Sequence, residues 1–182
     1  MRKPRQAIVL VVSALLALAA GYFSYAISKG DRSVNDIQQA TSEALFTTKF
    51  NDLNGVPQSL EQWRGKAMVV NFWATWCAPC RKEIPELVKA QEKYHEQGLT
   101  IIGIAVDIKE NVVPFIKENG VVYPVLVDNS SSVDVSKKLG NRVGGLPFTV
   151  FLNKNGDLVD RELGGLSEAR LDDAITALLK SR

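Results

Sequence analysis

Residues 68–85 read MVVNFWATWCAPCRKEIP, and the fold turns on them. Met68–Trp73 is a charge-free run, apolar but for Asn71, of the kind that forms a strand buried on both faces. From Pro79 to Glu96 the apolar residues Ile84, Leu87, Val88 and Tyr94 recur at helical spacing. A buried strand therefore runs into a helix, and Cys77-Ala78-Pro79-Cys80 lies at the junction. A helix N-terminus offers unpaired N–H groups and the positive end of the dipole. Both favour a thiolate, so the Cys77 pKa is expected below the free value of about 8.5. The thiolate is the nucleophile of disulfide exchange. Two intervening residues put Cys80 one helical turn along, in reach of Cys77. Pro79 stiffens the first turn where its missing N–H costs little. A structural disulfide and half of a shared metal site are the alternatives. So short a loop gains little from closure, which weakens the first.

Outward from this segment, strand-like runs alternate with helical stretches. Leu99–Val106 and Val121–Val127 are further apolar runs, the second interrupted by Pro124 and so either short or at an edge. Asn54-Gly55 marks a hairpin within Phe46–Leu60, and Asn155-Gly156 a second between Leu146–Leu152 and Leu158–Leu163. Helices are expected over Val112–Asn119, Ser132–Leu139 and Ser167–Leu179, the first two ending at glycine and the last opening on a Ser N-cap. Alternation of this kind predicts an α/β fold, a mainly parallel sheet covered on both faces, with the Gly156 hairpin as an antiparallel edge.

The chain has 182 residues, with two cysteines and one histidine, His95. Four Cys/His ligands for a zinc site are not available within it, nor a multi-disulfide scaffold. Arg2, Lys3, Arg5 and Lys29 account for the net charge of +2; residues 31–182 carry 18 basic and 20 acidic side chains. No basic footprint for nucleic acid survives. Ala7–Ile27 is free of charge over 21 residues, about 31 Å of helix against a hydrocarbon core of roughly 30 Å. The basic flank predicts a cytoplasmic N-terminus and an exported domain. A cleaved signal peptide ending at Ala17-Leu18-Ala19 is the rival; the apolar residues beyond Ala19 favour the anchor. The expected organisation is an anchor over 1–27, a polar linker over 28–43 and a folded domain over 44–182.

Phe72–Pro85 resembles the active-site segment of thioredoxin-like proteins, and more narrowly the TlpA/ResA-like membrane-anchored thiol–disulfide oxidoreductases. The likeness spans about residues 46–182 and includes GGLPFTVFL at 144–152. It implies a thioredoxin fold, a central mixed sheet flanked by helices, with an extra N-terminal β-hairpin. It also implies a Cys77–Cys80 redox disulfide without cofactor or metal. The implied reaction is reduction of cysteine pairs in exported proteins, typically apocytochromes c and copper-handling proteins of oxidase assembly. The dithiol would be recharged by an integral-membrane electron donor, on the outer side of a bacterial cytoplasmic membrane. A Cu(I) metallochaperone using the same cysteines, and a disulfide-forming oxidant, are the competing readings.

The resemblance also assigns supporting residues. Thioredoxin carries a buried Asp at the position of Asn71, which cannot exchange a proton. Glu83, on the helix face of Cys80, is the expected replacement, with a raised pKa if it is buried; a solvated helix charge is the alternative. Pro147 corresponds to the cis-proline facing the dithiol, which places the Leu146 backbone to pair with a substrate segment. Without the resemblance a trans turn proline is the ordinary reading. Phe148 replaces the Thr of many relatives, which bears on substrate preference. Trp73 and Trp76 are candidates for shielding the thiolate or for core packing. Pro85 is expected to lie within the helix, and His95 to be exposed and remote.

Overall fold

The computed structural model describes residues 15–25 and 42–181. Residues 15–25 are helical, and among the described residues no helix is long and apolar enough to cross a membrane. Most of the expected anchor and linker lies outside the described residues.

The domain is built on one seven-stranded sheet. Its strands are β1 (Lys49–Asn51), β2 (Pro57–Ser59), β3 (Ala67–Trp73), β4 (Leu99–Ala105), β5 (Val125–Val127), β6 (Phe148–Leu152) and β7 (Leu158–Leu163), in the order β2-β1-β5-β4-β3-β6-β7. The helices are α1 (Ala78–Tyr94), α2 (Lys109–Glu118), α3 (Ser131–Lys138) and α4 (Glu168–Lys180). β3 and β4 lie at the centre because every residue in them is buried. Alternation then sorts their side chains by face. Ala67, Val69 and Trp73 join Ile84, Leu87 and Tyr94 of α1, Phe115 of α2 and Leu171, Ile175 and Leu178 of α4. Met68, Val70 and Phe72 pack on the other side with Leu45, Phe46, Phe50, Leu60, Val135 and Leu139.

The sheet is mixed rather than mainly parallel. Only β3–β4 and β4–β5 pair in parallel; β1–β2, β1–β5, β3–β6 and β6–β7 are antiparallel. The reason is that both hairpins join the one sheet, at opposite ends. Pro124 does shorten β5, yet β5 is interior, because the N-terminal hairpin covers its outer side at Asn51↔Val127. That hairpin turns at Gly55, with φ of +82°, and the Asp52 carboxylate accepts from the Asn54 and Val56 N–H groups at 2.8 and 2.9 Å. α2 starts at Lys109, before the expected Val112, and stays helical through Pro114. α1 likewise runs through Pro85. α4 opens as expected on Ser167, whose hydroxyl accepts from the Arg170 N–H at 3.3 Å.

Candidate active site

β3 ends at Trp73, and four residues later Cys77 is the N-cap of α1. Cys77 keeps extended backbone angles (φ −84°, ψ 104°), and its sulfur accepts from the Cys80 N–H at 3.4 Å. Ala78 and Pro79 fill the first two helical positions, so Cys80 falls on the inner side of the first turn. The two sulfurs are joined in a disulfide, with Cα atoms 5.3 Å apart. Cys80 is fully buried and Cys77 is 5% exposed, while Trp76, Ala78 and Pro79 are exposed around them. Cys77 is thus the less deeply buried of the two and the one at the helix terminus. That is where a thiolate is favoured.

The approach to the dithiol is held by Asp107, at the end of the segment after β4. One carboxylate oxygen accepts from both the N–H (3.0 Å) and the hydroxyl of Thr75. The other accepts from the Ile108 N–H at 2.8 Å and the Asn111 amide at 2.9 Å. Burial would raise the Asp107 pKa, but these bonds outweigh it and hold the carboxyl below its ordinary value.

One turn beyond Cys80, Glu83 points into the core and is 2% exposed. It is no solvated helix charge. Its carboxylate accepts from the Asn71 amide at 2.8 Å and from the Leu166 N–H at 2.9 Å. The Asn71 amide also donates to the Thr149 hydroxyl at 2.9 Å, its neighbour across β3–β6. Burial drives the Glu83 pKa up to about 7, against the opposing pull of the Leu166 and Asn71 bonds. Tyr123, buried nearby, has its own pKa raised by burial and by the Glu83 charge. Asn71 thus retains no titratable proton but orients the carboxyl that does.

Leu146-Pro147 is a cis peptide bond. Leu146 is half-buried against the cluster that contains both cysteines, and the Pro147 carbonyl accepts from the Gly164 N–H at 2.9 Å. Gly165, next along, lies 3.9 Å from Pro79 as measured from where its Cβ would stand. The β7–α4 loop therefore closes on the first turn of α1.

Other expected residues fall elsewhere. Trp73 is core, fully buried with its ring 5.2 Å from that of Phe115, whereas Trp76 is 69% exposed beside Cys77. Phe148 turns to the opposite core, against Phe72, and so is not on the dithiol face. His95 is exposed beyond the end of α1. The sequence reading does not reach Asp107, Thr149 or the Leu166 N–H. A polar residue directly after a buried strand is the available signal for Asp107; the other two depend on cross-strand register and a loop, which local pattern does not encode.

Known proteins resemble the chain over most of its length. The Redoxin family profile matches residues 34–178. The thiol-disulfide oxidoreductase ResA of Halalkalibacterium halodurans is 30% identical over 165 residues, covering 90% of this chain and 89% of that protein. ResA of Geobacillus thermodenitrificans is 34% identical over 162 residues, 86% of each. Among solved structures, a thiol:disulfide interchange protein of the thioredoxin family from Chlorobium tepidum superposes with a TM-score of 0.66 at 30% identity, covering 72% of this chain and 92% of that one. With a cysteine pair at a strand–helix junction, a thioredoxin-like sheet around it and matches of this extent, the chain belongs to the Redoxin family, among the thiol–disulfide oxidoreductases related to ResA.

Proposed function

We propose that this thiol–disulfide oxidoreductase acts as a reductant of cystines in exported polypeptides. The observation that carries the reading is the Cys77–Cys80 pair at the α1 N-cap with a buried carboxyl, Glu83, one turn further on. In the reduced protein the Cys77 thiolate attacks one sulfur of a substrate disulfide. A Cys77–substrate bond forms, the substrate S–S bond breaks, and the first substrate thiolate leaves. Cys80 then attacks the Cys77 sulfur and displaces the second substrate thiolate. Two electrons pass to the substrate, and the protein is left with the Cys77–Cys80 disulfide. For the second step Cys80 gives up a proton in a buried setting, and Glu83 is the base assigned to take it, its pKa being close to neutrality. Trp76 and Pro79 border the outer sulfur, and the Leu146 backbone beside Pro147 receives the substrate segment.

Turnover in this direction needs a donor of two electrons, for which an integral-membrane thiol carrier is the assigned class. The charge-free run at residues 7–27, the polar stretch 28–43 and the basic N-terminus support a single-pass anchor in a bacterial cytoplasmic membrane, with domain 44–182 outside. Apocytochromes c and copper-handling proteins of oxidase assembly are the assigned clients.

The direction is tested by titrating the purified domain against glutathione buffers. A reduction potential well below about −200 mV is expected; one near −120 mV would identify an oxidant instead.

A further inference from the structure

Between Asn141 and β6 the chain runs Asn141-Arg142-Val143-Gly144-Gly145-Leu146-Pro147-Phe148. A polypeptide pairs with such a segment through a residue whose N–H and C=O are both free. Gly145 is not such a residue. Its N–H donates to the Asn141 side-chain oxygen at 3.0 Å, and its carbonyl accepts from the Asn141 side-chain amide at 2.9 Å. Nor does Gly144 qualify, because its N–H donates to the Asn141 carbonyl at 3.1 Å. Pro147 has no N–H, and its carbonyl is taken by Gly164. Phe148 lies inside the sheet, paired with Phe72 on one side and Leu163 on the other. Val143 and Leu146 are left, and no described residue bonds the N–H or the C=O of either; Val143 is 78% exposed, whereas Leu146 adjoins Pro147 and packs on the cluster that holds both cysteines.

The Asn141 amide therefore imitates a neighbouring strand along the inner side of Gly145. It is 1% exposed and anchored besides by its own N–H to the Ser136 carbonyl at 2.9 Å. We propose that Asn141 is a positioning residue for polypeptide substrates: it occupies both polar groups of Gly145, so that Leu146 is presented beside the cysteines, already ordered, to the strand that brings a cystine to Cys77. This rests on the reading that substrate pairs with Leu146. A side chain that pre-orders a docking segment spares the substrate that ordering cost, so its loss weakens binding more than it slows chemistry. A small disulfide that makes no backbone pairing is indifferent to it.

The test mixes the reduced full chain, in single turnover, with two substrates, a synthetic peptide closed by one disulfide and the small aromatic disulfide dithiobis(nitrobenzoate), and reads the half-saturating concentration as KM and the limiting rate as kcat. For Asn141→Ala the KM for the peptide is expected to rise about tenfold with kcat little changed, the scale of one or two lost hydrogen bonds, while the peptide-to-small-disulfide ratio of kcat/KM falls by the same factor. Asn141→Asp keeps the acceptor for the Gly145 N–H but sets a carboxylate oxygen against the Gly145 carbonyl, acceptor against acceptor, and is expected to show the same split; should Asn141→Ala not fold, the same comparison is made with Asn141→Asp alone. An unchanged ratio in the folded variants, or equal losses on both substrates, would overturn the proposal. Peptides N-methylated at the amides flanking the attacked cysteine separate the two layers. If methylation leaves the wild-type KM unchanged, pairing at Leu146 is wrong. If it raises the wild-type KM but the Asn141 variants keep the wild-type ratio, only the role of Asn141 is wrong.

Discussion

Glu83 is a carboxylic acid whose surroundings decide what it does. On an exposed helix face it would be ionised at neutral pH and inert. Here two hydrogen bonds hold it in place while burial brings its pKa to about 7, so it can change protonation in the range where thiols exchange. Its position on the Cys80 face is legible from the i, i+3 spacing. Its partners are not, since Asn71 and Leu166 are 12 and 83 residues away in the chain. Glu83→Gln keeps the size and one of the two acceptor oxygens, replaces the other by an amide donor, and takes up no proton. Reduction is expected to slow about tenfold near pH 8, and the inflection near pH 7 in the rate profiles of alkylation and reduction to disappear. Superimposable profiles would make Glu83 a packing residue. Stability carries the same signature. Below about pH 4.5 the carboxyl is protonated in both states. Between about 4.5 and 7 the unfolded chain ionises while the folded one keeps its proton, so the oxidised protein loses stability as pH rises, by up to roughly 3 kcal/mol, and the loss levels off above pH 7. Subtracting urea-unfolding data of Glu83→Gln from wild type across this range isolates that slope.

Among the elements, β3 and α1 are readable because each states its environment locally: a charge-free run buried on both faces, and an apolar stripe at helical spacing behind a proline in the first turn. Both hairpins announce themselves through Asn-Gly. The place of β5 does not, because whether a short strand lies at an edge depends on what a distant segment does, and β1 comes from more than 70 residues upstream to cover it. The row of the sheet that carries Asn71 shows how closely this level is specified. Asn71 sits in register with Gly103 on one side and Thr149 on the other. A Cβ on Gly103 would stand 3.0 Å from the Trp73 indole nitrogen and 3.3 Å from the Tyr123 ring. Both are rigid rings in a close-packed core, with little freedom to move aside. Gly103→Ala is therefore expected to lower stability by about 1–3 kcal/mol in urea unfolding, by overpacking. Wild-type stability in this variant would mean that the rings shift at no cost.

At the scale of the whole molecule the chain divides by charge as well as by structure: a basic, apolar N-terminus and a near-neutral domain. The full chain is expected to sediment with membranes, and a version beginning at Ser28 to remain soluble and redox-active. A soluble native form with its N-terminus near Ala20 would establish cleavage instead. The proposed function assigns the chemistry to two cysteines buried to different depths, Cys77 at 5% exposure and Cys80 at none. The most direct measurement is a trapping experiment. Reduced Cys80→Ala and Cys77→Ala variants are each mixed with a disulfide-closed peptide and analysed by mass spectrometry without reductant. Cys80→Ala should accumulate one peptide adduct on Cys77, released by dithiothreitol, and Cys77→Ala should form none and reduce nothing. An adduct confined to Cys77→Ala, or full reductase activity in that variant, would contradict the assignment of Cys77 as the attacking sulfur.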